Sequence, residues 1–160
     1  MDRVYWDSVC FLGYLLEEED KVSSCEEVLI DAQDGKLQIV TSALTIAEVL
    51  AVRNLPRVPS DQRQTVESFF KNDFILVRGI TRRTAEVARG LVWDSGILPK
   101  DALHVAAALE AQLPMLHTFD GGLLKKSGKV GGIPVLQIQK PHVIAPRLPL
   151  VRRDVEEERA

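Results

Sequence analysis

An α/β fold with a mostly parallel sheet, covered by helices on both faces, is predicted for this chain by three observations. Short apolar runs rich in strand formers alternate with longer segments of helical periodicity. At its start a strand runs directly into a helix, the opening of an α/β unit. With 46% hydrophobic residues in 160, the chain is long enough to bury a core of its own. One domain over residues 1–140 is expected, followed by a tail over 141–160.

Composition narrows the function classes. A formal charge of −3 does not announce a nucleic-acid binder, yet a local basic rim can surround an acidic centre. Cys10 and Cys25 are too sparse for a disulfide framework and read as reduced, buried thiols. Acidic residues flank the short apolar run at 4–6, and 17–20 are all acidic, so a signal peptide is not expected. No segment approaches the roughly 20 apolar residues of a membrane span. A soluble, cytoplasmic protein is the expectation.

Taken in order, Val4-Tyr-Trp6 reads as a strand, with Asp7 and Ser8 behind it and a helix over 9–16. Ser23-Ser-Cys-Glu26 has the form of a capping box ahead of a second helix, which Asp34-Gly35 ends. The second strand is 37–40. A helix over 41–53 follows, started by Ser42 or Thr45, and Glu48 is the odd charge in it. A loop over 55–59, punctuated by Pro56 and Pro59, leads to a helix over 60–71 with Val66, Phe69 and Phe70 as its buried face. The third strand is 74–77. Thr81 caps a helix running to Trp93 on the face Ala85, Ala88, Leu91 and Val92, and Asp94-Ser-Gly96 stops it.

Next comes an apolar, alanine-rich helix, 97–112, apolar on most faces after Pro99 and with Asp101 at its start. A fourth strand over 114–118 runs into Phe119-Asp120-Gly-Gly122, and a last strand over 135–138 closes the domain. From Pro141 the chain turns proline-spaced and then almost wholly charged, which reads as an extended appended segment.

This order puts Asp7, Glu48, Asp101 and Asp120 at strand ends or in the helical turns that follow. Asp7 and Asp101 each have a simpler reading as helix N-caps, and Glu48 as a solvent-facing residue. In open α/β sheets, however, the ligand crevice lies at the carboxyl ends of the strands. Carboxylates gathered there push each other's pKa upward unless a cation joins them. Oxygen-only donors favour Mg²⁺ or Mn²⁺ over Zn²⁺. His104 and His117 lack HExxH or Cys/His spacing and read as packed or supporting residues. No Gly-x-Ser-x-Gly or phosphate-cradling glycine loop occurs, and with 6% aromatics a base-stacking sheet is not indicated.

Trp6-Asp7-Ser8, Thr41-Ser-Ala-Leu-Thr-Ile-Ala-Glu48, Lys100-Asp101-Ala-Leu-His-Val-Ala-Ala-Ala-Leu109 and Leu116-His-Thr118-Phe-Asp120 together resemble the PIN domain nucleases, specifically the small VapC-type toxins. The resemblance covers about residues 4 to 138. It implies a PIN-like three-layer α/β/α fold and a metal-dependent endoribonuclease using Mg²⁺ or Mn²⁺. Asp7 and Asp101 would be direct ligands, and Glu48 and Asp120 would act directly, through water or by orienting the nucleophile. Ser8 and Thr118 would orient them. Gly122 departs from the pattern, since many members carry a further acid there. RNA as substrate, a cognate antitoxin and a homodimer are also implied. Lys100, Arg53 and Arg82 are the RNA-contact candidates, and the 9–16 helix with Phe69-Phe70 the candidate contact surfaces. A Mg²⁺-dependent phosphatase and a non-catalytic RNA- or protein-binding module are the alternatives.

Overall fold

The computed structural model describes residues 1–50 and 57–144. Arg53 and the charged end of the tail, 145–160, lie outside the described residues. The elements are β1 (Asp2–Trp6), α1 (Ser8–Leu15), α2 (Val22–Gln33), β2 (Leu37–Ser42), α3 (Ala43–Glu48), α4 (Arg63–Phe69, entered through a 3-10 turn at Ser60–Gln62), β3 (Ile75–Arg78), α5 (Arg82–Ser95), α6 (Pro99–Glu110), β4 (Met115–His117), α7 (Gly121–Leu124) and β5 (Gln137–Gln139). The strands form one sheet in the order β3-β2-β1-β4-β5, and its pairings are parallel. The predicted α/β/α architecture is the one observed.

The period-2 alternation of side chains sorts the core into two layers. Tyr5, Val40, Leu116 and Ile138 face α5 and α6. Val4, Trp6, Leu37 and Ile39 face α1 and α2, where they meet Phe11, Leu12 and Val28. Burying side chains of this size contributes about 1.5–3 kcal/mol each. Ala102, Ala106, Ala107 and Ala108 are buried along α6. Their small volume brings this helix close to both the sheet and α5.

Phe11 contacts Trp6, Phe69 and Phe70 at ring-centroid distances of 5.2, 6.0 and 5.1 Å. Phe11 of α1 and Phe69-Phe70, expected from sequence in contact surfaces, pack on the core, and Phe70 also lines a groove between α3 and α4.

Several element boundaries depart from expectation: the helix expected over 41–53 is α3 over Ala43–Glu48, because β2 pairs with β3 as far as Ser42 and the chain turns out of the helix at Val49. α2 starts at Val22 with Lys21 as a cap that makes no side-chain bond, so the capping box expected at Ser23 and Glu26 is absent. The turn before it is closed by backbone bonds, Glu18 N–H to Gly13 C=O and Val22 N–H to Glu18 C=O, and these start the helix earlier. β5 begins at Gln137, because its register is set by pairing with Met115 of β4, and the expected start at Val135 is left partly exposed.

At α5 the sequence signals hold. Thr81 and Thr84 form a reciprocal capping box, and Gly96 ends the helix in the left-handed region at φ 63°. Thr81→Ala is expected to lower stability by about 1 kcal/mol. Thermal melting checks this. The same variant should leave the site below unaffected, because Arg83 and Thr84 pack on Glu110, at the opposite end of α6 from Asp101.

Candidate active site

Parallel pairing aligns the carboxyl ends of β1, β2 and β4, and the candidate residues emerge there. Asp7 directly follows β1 and caps α1. Its Oδ1 accepts from the N–H groups of Val9 and Cys10 at 3.1 and 3.2 Å. Because Trp6 pairs with His117, the next residues of the two strands also meet, and Thr118 Oγ1 donates to Asp7 Oδ2. The same Thr118 oxygen accepts from Asp120 N–H at 3.0 Å. Asp120 caps α7 in turn, with Oδ2 accepting from Leu123 N–H at 2.8 Å. A Cβ at Gly122 would stand 3.1 Å from that Oδ2, so a side chain there crowds the Asp120 carboxylate.

Glu48 ends α3 and reaches back to the start of α1. Ser8 Oγ donates to its Oε2 at 3.0 Å, while Oε1 is buried and accepts no hydrogen bond among the described residues. His104 Nε2 and Lys100 Nζ lie 3.5 and 4.0 Å from that Oε1. The solvent-facing reading of Glu48 is thus set aside.

Asp101 stands in the first turn of α6 but is not its cap. Leu98 holds that place, with Pro99 at the first helical position, where a missing N–H costs nothing. The cap reading of Asp101 is corrected accordingly. For Asp7 the cap reading holds, with one oxygen capping α1 and the other accepting from Thr118.

The electrostatics tie these groups together. Burial pushes the Asp101 carboxyl up to about 6, and the charges of Asp120, Asp7 and Glu48 push in the same direction against His104. Burial also raises Asp7, partly offset by His104 and Thr118. In Glu48 burial is outweighed by the close approach of His104, by Ser8 and by Lys100, and the net shift is downward. Asp101 thus feels the other three carboxylates, as convergence on one crevice requires.

His104, read from the sequence as a packed or supporting residue, lies against the candidate cluster. It is buried, with Nδ1 2.8 Å from the Tyr5 hydroxyl and Nε2 3.4 Å from Ser8 Oγ. The available signal was its spacing, three residues after Asp101, which puts both on neighbouring parts of one helix face. His117 is different. Its Nδ1 accepts from the Trp6 indole N–H at 3.0 Å, and burial, then His142, hold its pKa down at about 3, so it is neutral and structural.

Of the basic candidates, Lys100 is at the cluster and largely exposed. Arg82 is not brought there. It pairs with Glu86 along α5, beside Arg83, whose partner is Glu110.

The donor set suits a hard cation. It is all oxygen, one of its buried oxygens lacks a partner, and one of its carboxyls is destabilised in the charged form by the others. No three His, Cys, Asp or Glu side chains among the described residues are gathered closely enough to hold an ion by protein atoms alone. A Mg²⁺ that takes a few carboxylates and keeps several waters does not require such a shell.

A parallel three-layer α/β domain with acidic residues at the carboxyl edge of its sheet defines the class. The chain belongs to the PIN domain family, whose pattern it matches over residues 4–129. Its fold is similar to that of the Mycobacterium tuberculosis VapC20 toxin, described as cleaving the sarcin-ricin loop, with a TM-score of 0.62 at 13% identity over 74% of this chain and 90% of that one. It is also similar to Rickettsia felis VapBC2, solved bound to a DNA fragment from their promoter, with a TM-score of 0.57 at 14% identity over 86% of this chain and 98% of that one. No curated protein matches it by sequence. Among the described residues no helix is long and apolar enough to cross a membrane.

Proposed function

We propose that this chain is a Mg²⁺- or Mn²⁺-dependent endoribonuclease and the toxin of a toxin–antitoxin pair, acting in the cytoplasm. The observation that carries the reading is the placement of Asp7, Glu48, Asp101 and Asp120 at the carboxyl edge of the sheet of a PIN domain, with the Asp101 carboxyl raised by burial and by the other three. Such a cluster is poorly stable at neutral pH without a cation. The family, and the description of VapC20 as a toxin that cleaves the sarcin-ricin loop, support the choice of substrate.

In this reading Asp7, Asp101, Glu48 and Asp120 hold the ion, directly or through water. When bound, it would lower the pKa of a water and stabilise charge on the leaving 3′ oxygen. Thr118 keeps one Asp7 oxygen in place, and Ser8 does the same for Glu48. Lys100, largely exposed beside the cluster, is the proposed phosphate contact. An antitoxin would seat on the apolar groove of about 900 Å³ between α3 and α4, whose lining includes Ile46, Leu50, Val66 and Phe70. Homodimerisation is also proposed, supported by the exposed Trp93 and Leu98 at the α5–α6 turn.

The test is cleavage of a mixed structured and single-stranded RNA pool by purified, partner-free protein. Cutting is expected with Mn²⁺ or Mg²⁺ and is expected to stop with chelator. Folded protein that cuts nothing in either metal would overturn the nuclease reading and favour a binding module.

A further inference from the structure

We infer that Tyr5 and His104 are positioning residues that set Glu48 for the cation, an inference that rests on the nuclease reading above. Glu48 is the last residue of a six-residue helix, and a carboxylate on two methylenes has many rotamers. Its setting comes from a chain of contacts that crosses four elements. The Tyr5 hydroxyl of β1 is 2.8 Å from His104 Nδ1 of α6. His104 Nε2 is 3.4 Å from Ser8 Oγ of α1 and 3.5 Å from Oε1 of Glu48 in α3.

One assignment of the hydrogens that fits these contacts starts from Ser8. Ser8 has a single hydroxyl hydrogen and gives it to Glu48 Oε2. It therefore meets His104 as an acceptor, which puts the imidazole hydrogen on Nε2. Nδ1 is left as an acceptor for the Tyr5 O–H.

Each member has a partner except Glu48 Oε1, the oxygen left without a hydrogen bond. Ser8 thus holds one carboxylate oxygen, and His104 stands 3.5 Å from the other, the buried oxygen that accepts no hydrogen bond. Packing alone does not account for it. Tyr5 is fully buried in the middle of a parallel sheet, where phenylalanine would fill the same volume without burying a hydroxyl. His104 is likewise buried on a helix whose neighbouring core positions are alanine and valine.

Groups that orient metal-holding side chains typically change affinity by about 10–100-fold when removed. The experiment measures Mn²⁺ affinity of the folded full chain by calorimetry, alongside ring ¹⁵N shifts of His104 in metal-free protein. The variants are Tyr5→Phe, His104→Ala and His104→Gln.

The unaltered chain is expected to show the Nε2–H form, and Tyr5→Phe a mixture of the two tautomers. Mn²⁺ affinity should fall about tenfold in His104→Ala. It should fall less in Tyr5→Phe and recover in His104→Gln, whose amide N–H can replace Nε2–H. If His104→Ala does not fold, Tyr5→Phe decides, since it removes one oxygen and keeps the ring.

Affinities equal to that of the unaltered chain, with only the melting temperature lowered, would overturn the inference and leave the nuclease reading standing. An unaltered, folded chain that binds no Mn²⁺ would overturn both.

Discussion

Asp101→Asn is expected to abolish RNA cleavage while making the metal-free protein more stable at neutral pH. Both effects come from one charge. With its carboxyl raised to about 6 by burial and by neighbouring carboxylates, Asp101 destabilises the folded chain whenever it is ionised. In the pH window between its ordinary value of 3.8 and about 6, the folded state binds more protons than the unfolded state, so stability falls as pH rises. Above that window the cost is fully present. Asn removes it, and because the group is only half-buried, solvent screening reduces the expected gain to about 1 kcal/mol.

Activity moves the other way, since a lost ligand takes several kcal/mol of charge stabilisation with it, roughly a thousandfold in rate. Chelator-treated melting curves at pH 4.5 and pH 7.5, beside single-turnover cleavage, check the two halves together. Normal cleavage by Asp101→Asn would remove Asp101 from the machinery.

The second large effect separates the two jobs of Asp7. Asp7→Asn keeps an oxygen to accept from Val9 and Cys10 N–H, so the start of α1 survives, and Thr118 can turn its hydroxyl to meet the new amide. Cleavage should be lost at near-native stability, which itself rises slightly because burial disfavours the charged Asp7. Asp7→Ala loses the cap as well, at about 1–2 kcal/mol, and strands the buried Thr118 hydroxyl at about 1–3 kcal/mol more. Both variants should be inactive, and denaturant titration should find only the alanine variant clearly weakened. Equal stability of the two would mean that the capping bonds carry little of the fold.

Much of this was legible from local chemistry. The number and order of the strand runs, the Thr81 cap and the Gly96 stop depend on a few consecutive residues, and they read correctly. Asp7, Glu48, Asp101 and Asp120 were recognisable as a set because each sits where a strand or its following helix turns. Readings that failed depended on choices between equivalent local signals. Ser23 offers a good cap, but the backbone of the preceding turn starts α2 earlier. Asp101 offers a good cap, but Pro99 sets the beginning of α6 two residues before it.

Arg82 looked like its basic neighbours in sequence. Its distance from the cluster follows only from the antiparallel packing of α5 on α6, which takes Arg83 to Glu110.

The sequence by itself determined the α/β alternation, the alanine-rich buried helix and the carboxylates at element ends, because periodicity and end chemistry are written within single elements. Only the tertiary structure decided which carboxylate oxygen is capped and which is left free, and that Tyr5 bonds His104 across 99 residues of chain. Those contacts depend on strand register and helix packing, where residues distant in sequence become neighbours and burial alters their ionisation.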